Sequence, residues 1–236
     1  MKILHIIILT IICSVFAGCE KDNFDAPKAT LSGKVTYNGN AVGVRTNATQ
    51  LELWQDGYAL HSKIPVYIAQ DGTFSASLFN GQYKLVRLAG APWIAQASDT
   101  IVIDVKGNTV VDIPVTPYFA ISKESYTKGA GTITAKFTIN KIVESANLGE
   151  VSVFFGKSIL TDSQKNENDQ VDEANKYNEG QPYIKVDKIV LEKETIATIN
   201  IPNKLADADY LFIRIGVRAT VSSEYYYTQV QKISLK

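Results

Sequence analysis

Thiols, histidine and methionine are nearly missing from this chain. Its 236 residues hold two cysteines, Cys13 and Cys19, both close to the N-terminus, and a single methionine, Met1. No disulfide can staple the body of the protein, and thiol-ligated metal sites and cysteine nucleophiles are excluded by the same count. Of two histidines, His5 sits in an apolar leader and leaves His61 alone, too few for a His-rich metal site and a poor basis for a Ser-His-Asp triad. No glycine-rich loop has the strand-to-helix context of a phosphate cradle; neither Gly129-Ala130-Gly131 nor Gly107 qualifies, so nucleotide binding is unsupported. An excess of one charge is missing too, with 24 basic and 24 acidic residues, and no steering toward nucleic acid is expected. Sustained helical periodicity is absent. The one long apolar run, Ile3 to Phe16, falls short of the ~20 residues of a spanning helix.

That run is nevertheless informative. Lys2, the apolar stretch and the ending Phe16-Ala17-Gly18-Cys19 read as a bacterial signal peptide over residues 1–18, cleaved before Cys19, whose thiol then receives lipid. Cys19 is thus expected to anchor the protein to a membrane. Glu20-Lys21-Asp22-Asn23-Phe24-Asp25 is charged and poor in apolar residues, so residues 19–28 are expected to form a flexible tether. This segment resembles the acidic signals of surface-exported Bacteroidetes lipoproteins, which implies the outer face of the outer membrane.

From Ala29 onward apolar residues alternate with period two between Gly, Asn, Asp and Pro punctuation, which predicts strands and tight turns. In the first half, strands are predicted near 31–37, 49–55, 65–69, 73–78, 82–88, 100–105 and 109–115, with turns at Asn38-Gly39-Asn40, Asp71-Gly72, Asn80-Gly81 and Lys106-Gly107-Asn108. Seven short strands suggest a small sandwich over 29–116. Pro114 and Pro117 flank Val115-Thr116 and place a boundary there. A second series near 118–125, 131–140, 150–155, 183–191, 195–201, 210–220 and 226–235 predicts another sandwich over 117–236. In it Ile213, Ile215, Val217 and Ala219 alternate with Arg214, Gly216 and Arg218, as one buried and one wet face. Residues 161–181 are dense in Asp, Asn, Glu, Gln and Lys and are expected to add nothing to the core; a functional loop, a short surface helix and a mobile insertion all fit, and the solvated pattern favours mobility.

Several motifs together resemble one known family. They are Leu31-Ser32-Gly33-Lys34-Val35, Leu51-Glu52-Leu53-Trp54-Gln55-Asp56-Gly57-Tyr58, Asp71-Gly72-Thr73-Phe74, Asn80-Gly81-Gln82-Tyr83, Ala91-Pro92-Trp93 and Asp112-Ile113-Pro114-Val115-Thr116-Pro117-Tyr118. The likeness is to two-domain Bacteroidetes surface lipoproteins of unknown function found beside starch-utilisation-type transporters. It implies an N-terminal prealbumin-like or carboxypeptidase-regulatory-like sandwich and a C-terminal immunoglobulin-like or fibronectin-III-like one. It implies no cofactor and no catalytic residue. The setting points to SusC-like and SusD-like partners and to polysaccharide capture, an analogy of context rather than of a site.

Candidate ligand residues are aromatic, because sugar rings stack their C–H faces on flat side chains while their hydroxyls bond to amides and carboxylates. Trp54 leads: with Leu51 and Leu53 inward, it shares the outer face with Glu52, and Gln55, Asp56 and Tyr58 stand close in sequence. Trp93 follows Gly90-Ala91-Pro92 in a loop, and Tyr225 and Tyr227 share one face of a strand with Tyr226 on the other. Each ring also has a structural alternative as core or sheet cover. The acids Asp99, Asp104, Asp112, Asp207 and Asp209 fall at strand ends or turns, where solvated acids are the rule. Asp162, Asn166, Asn168, Asp169, Asp172 and Glu173 offer oxygen ligands to calcium, but the order does not fit an EF-hand loop. The leading expectation is a non-catalytic glycan-binding accessory protein. The alternatives are a structural subunit docking to the SusC-like and SusD-like pair, and a weak glycosidase using two carboxylates.

Overall fold

A computed structural model describes residues 25–57, 59–95 and 100–236. The leader, Cys19, Tyr58 and Asp99 lie outside the described residues. The first half holds β1 (Ala29–Tyr37), β2 (Asn40–Ala41), β3 (Gln50–Trp54), β4 (Ile64–Tyr67), β5 (Thr73–Leu78), β6 (Gly81–Arg87), β7 (Ile101–Val105), β8 (Asn108–Val110) and β9 (Ile113–Pro114). They form two sheets: β2-β1-β5, with β8 and β9 added parallel to β1, and the antiparallel β4-β3-β6-β7. Leu31 and Val35 of the first sheet meet Leu51, Leu53, Leu85 and Ile103 of the second in one core. The alternation read from the sequence is the inward face of these strands.

Local chemistry decides where this half departs from expectation. The run 109–115 is two strands, because the pairing with β1 changes partner at Asp112, whose Oδ1 accepts from Lys34 N at 3.0 Å in place of a backbone carbonyl. Gly33 makes the crossing possible: a Cβ there would lie 1.9 Å from the Val111 carbonyl oxygen. The Asn38-Gly39 loop joins β1 to β2 with both residues in the left-handed region, at φ 49° and 78°, a type I′ arrangement that suits a two-residue hairpin.

The second half holds β10 (Phe119–Lys128), β11 (Thr132–Lys141), β12 (Leu148–Gly156), β13 (Tyr183–Ile184), β14 (Glu194–Asn200), β15 (Tyr210–Ala219), β16 (Tyr226–Tyr227) and β17 (Gln231–Ser234). The sheet β10-β11-β14 faces β13-β12-β15-β16, with β17 also on β15, around Ile133, Phe137, Ile139, Val151, Val153, Phe155, Ile213 and Ile215. The molecule is therefore all-β, as two consecutive sandwiches.

Three expectations for this half are corrected. The run 183–191 pairs only at Tyr183–Ile184, since Lys188 and Ile189 give their N–H groups to Lys185 and Val186 in a short 3₁₀ turn. The polar loop is not uniformly solvated: Thr161, Asp162 and Asn168 are buried. Asp162 Oδ1 accepts from Gln164 N and Lys165 N, while Asn168 accepts from Phe155 N at 3.1 Å and donates to Val153 O at 2.9 Å. Its amide thus gives β12 the hydrogen bonds a neighbouring strand would supply. Finally, Arg214 is 0 % exposed, so its side of β15 is not a wet face. The N-terminal sandwich and the polar loop cover it.

Candidate functional site

The two sandwiches are joined through Arg214. Its Nη1 donates to Val44 O (3.2 Å) and Thr161 O (3.3 Å), its Nη2 to Thr228 O (2.9 Å), and its Nε also to Thr228 O (3.1 Å). One guanidinium therefore gathers the N-terminal sandwich, the polar loop and the chain after β16, with its Cζ 4.2 Å from the Tyr227 ring centroid. Burial pulls its pKa down to about 10, and Tyr227 and Asp162 oppose that loss. Gly43 lets the backbones approach, because a Cβ there would meet Arg214 Nη2 and Tyr227 O at 2.6 Å. On another side of the junction Arg45 pairs with Glu224 through two bonds of 2.6 and 3.1 Å, and the Ser222 hydroxyl lies 2.9 Å from Ala91 O. Trp93 and Pro117 form a bridge at the linker itself.

With the domains fixed in this way, a cleft of about 500 Å³ opens between the β1–β2 hairpin and the strands β10, β11 and β16. Tyr37, Asn38 and Asn40 contribute from the hairpin; Ser122 and Glu124 from β10; Asn140 from β11; Tyr226 from β16; and Gln229 from beyond it. A β-bulge positions Glu124. Between the pairs Ser122–Thr138 and Ser125–Lys136, two residues of β10 oppose one of β11, and Lys123 takes φ 56°. Asn140 braces the bulge by donating to Ser122 Oγ at 2.8 Å. Tyr226 is half-buried, packs against both cores, and has its pKa pushed up to about 12, by burial first and then by Glu124 and Tyr37. Two phenol rings, a carboxylate and several amides thus converge on one concavity at a domain junction, a combination suited to a small polyhydroxylated ligand.

Two family models match the chain in succession. The "Protein of unknown function (DUF3823) N-terminal domain" covers residues 29–116, and the "Domain of unknown function (DUF3823_C)" covers residues 119–232. A DUF3823 family protein from Bacteroides ovatus shares 47% identity, with a TM-score of 0.78 over 89% of this chain and 100% of that one. The chain belongs to the DUF3823 family. A DUF3823 protein from Parabacteroides merdae has 32% identity and a TM-score of 0.77 over the same shares of the two chains. A Bacteroides uniformis protein described as a candidate carbohydrate-binding protein shares the fold at 18% identity, with a TM-score of 0.72 over 89% of this chain and 100% of that one. No curated protein matches the chain.

In this DUF3823 protein the residues singled out from the sequence are scattered. Trp54 is half-buried on the outer face of the β4-β3-β6-β7 sheet, in register with Lys84. Its polar neighbours are paired with one another: Glu52 with Lys63 at 2.5 Å, Asp56 with Lys84 at 2.6 Å. Trp93 is corrected as a ligand residue. It is 0 % exposed in the N-terminal core, since its loop folds inward at the Pro117 bridge. Tyr225 and Tyr227 are corrected likewise, at 8 % and 1 % exposure, packed with Phe154 in a small cluster of their own. Tyr227 Oη accepts from Ser163 N, and Tyr225 stacks edge-on to Phe154 at 5.7 Å. The strand alternation that buries them turns Tyr226 into the cleft. His61 is exposed. Sequence reasoning passed over Tyr37, Glu124, Asn140 and Gln229. For Tyr37 a signal existed in its place beside the Asn-Gly turn; for Glu124 none did, because a bulge is a property of the pairing.

Proposed function

We propose that this DUF3823 protein is a non-catalytic, lipid-anchored outer-membrane surface protein that captures glycan in the cleft between its two sandwiches, as an accessory to polysaccharide uptake. The observation that carries the reading is the convergence of Tyr37, Tyr226, Glu124 and amide side chains on one cleft of about 500 Å³. A pyranose stacks its apolar face on a ring and gives its hydroxyl protons to carboxylate and amide oxygens. The Bacteroides uniformis relative described as a candidate carbohydrate-binding protein supports the same class. The leader ending at Cys19 supports the address: Cys19→Ser is expected to move the protein from the membrane fraction to the soluble one.

Native gels cast with a broad panel of polysaccharides test the binding. Wild-type protein is expected to be retarded by at least one of them. Tyr226→Leu keeps apolar bulk against both cores but loses the flat ring, and is expected to weaken retention about tenfold with little change in unfolding temperature. Indifference of the wild type to the whole panel would end this reading. Co-purification with SusC-like and SusD-like proteins from gently solubilised outer membrane tests the accessory role; elution as an isolated chain removes it.

A further inference from the structure

We propose that the junction cleft selects a neutral sugar unit, gripped through a pair of adjacent hydroxyls by the Glu124 carboxylate, and rejects uronic, sialic and sulfated sugars. The inference rests on the glycan reading above and narrows its ligand class. Among the described residues Glu124 is the one charged side chain lining the cleft; it is half-buried and forms no ion pair with any of them. Lys123 beside it is exposed and does not line the cleft, and the Arg214 guanidinium is committed to backbone carbonyls.

The amides strengthen the argument. Asn140 gives its N–H groups to Ser122 Oγ and Ala120 O, and Gln229 gives its own to Ala41 O and Asp71 O. What these side chains leave for a ligand is their carbonyl oxygens. The other donors of the wall, the hydroxyls of Tyr37, Tyr226 and Ser122 and the amides of Asn38 and Asn40, are neutral, so among the described residues the lining offers no cation to an anionic ligand and one carboxylate, Glu124, to the hydroxyl donors of a neutral one. A ligand that fits must bring hydrogen-bond donors and little negative charge, and a neutral polyol does both. A carboxylated or sulfated sugar would set like charges face to face in a partly desolvated site.

The test uses full-length protein in native gels containing neutral polysaccharides (starch, galactomannan, arabinoxylan, mixed-linkage β-glucan) or anionic ones (polygalacturonate, chondroitin sulfate, heparin). Retardation by at least one neutral polymer and by no anionic one is expected. Glu124→Gln is expected to weaken neutral retention by about tenfold or more, as loss of a charge-assisted hydrogen bond does. Glu124→Arg is expected to abolish it. Gln229→Ala, at an exposed position, is expected to weaken it a few-fold and keeps the test open should Glu124 variants fail to fold. Retardation by an anionic polymer, or neutral binding unchanged in both Glu124→Gln and Gln229→Ala, overturns the inference while leaving glycan capture standing. If no polymer of either class retards the wild type, glycan capture itself falls.

Discussion

The outer face around Trp54 and the junction cleft around Tyr226 make an instructive pair. Both set an aromatic ring beside acids and amides. On the Trp54 face, however, the charges are satisfied internally, through Glu52–Lys63 and Asp56–Lys84, on the outer side of one sheet. In the cleft, Glu124 has no ion-pair partner among the described residues, and the surface is concave, built by two domains at once. An aromatic ring marks a binding site less well than unspent hydrogen-bonding capacity inside a concavity. The difference also assigns distinct parts to the two regions: the sheet face belongs to the stability of one domain, the cleft to the way two domains are held.

The sharpest way to break the comparison is to loosen the junction alone. Arg214→Met strands carbonyls of Val44, Thr161 and Thr228. At about 1 to 3 kcal/mol for each orphaned group the loss amounts to several kcal/mol, and the unfolding temperature is expected to fall on the order of 10 °C by calorimetry. Glycan retention should vanish with it, whereas a variant that binds as before would show that the cleft does not need the fixed domain angle. Asn140→Ala comes next. It frees the bulge that aims Glu124 and is expected to cost about fivefold in affinity, measured by gel retardation, with a small change in melting temperature. Smaller still is Lys63→Met on the sheet face. It leaves Glu52 without its partner and should lower stability by about 1 kcal/mol in urea unfolding while glycan retention stays at the wild-type level.

Much of the fold was legible because its signals are local. The alternation of Leu31 and Val35, of Leu51 and Leu53, and of Ile213, Ile215 and Val217 reports the inward face of each strand, and Asn38-Gly39 reports its hairpin. The errors lie where a tertiary partner supplies what the sequence neighbourhood does not. Arg214 reads as solvent-facing until the N-terminal sandwich and the polar loop cover it, and the polar run at 161–168 reads as loop until Asn168 serves as a surrogate strand. The site was hidden for the same reason. Tyr37, Glu124 and Tyr226 are far apart in the chain: the packing of β10 beside β16 brings the last two together, and the junction between the sandwiches adds Tyr37. The Tyr225-Tyr226-Tyr227 triplet was visible as a candidate, yet which of its faces is open depends on Phe154 and Arg214 packing against the other.

A side-by-side titration decides the central claim. Tyr226→Leu and Trp54→Ala are compared with the wild type in gels containing a graded amount of a retarding neutral polysaccharide, with unfolding temperatures recorded for all three. The account predicts an apparent dissociation constant raised about tenfold for Tyr226→Leu and changed less than twofold for Trp54→Ala. Loss of retention in Trp54→Ala, with Tyr226→Leu unaffected, would contradict it and move the site to the outer face of the N-terminal sandwich.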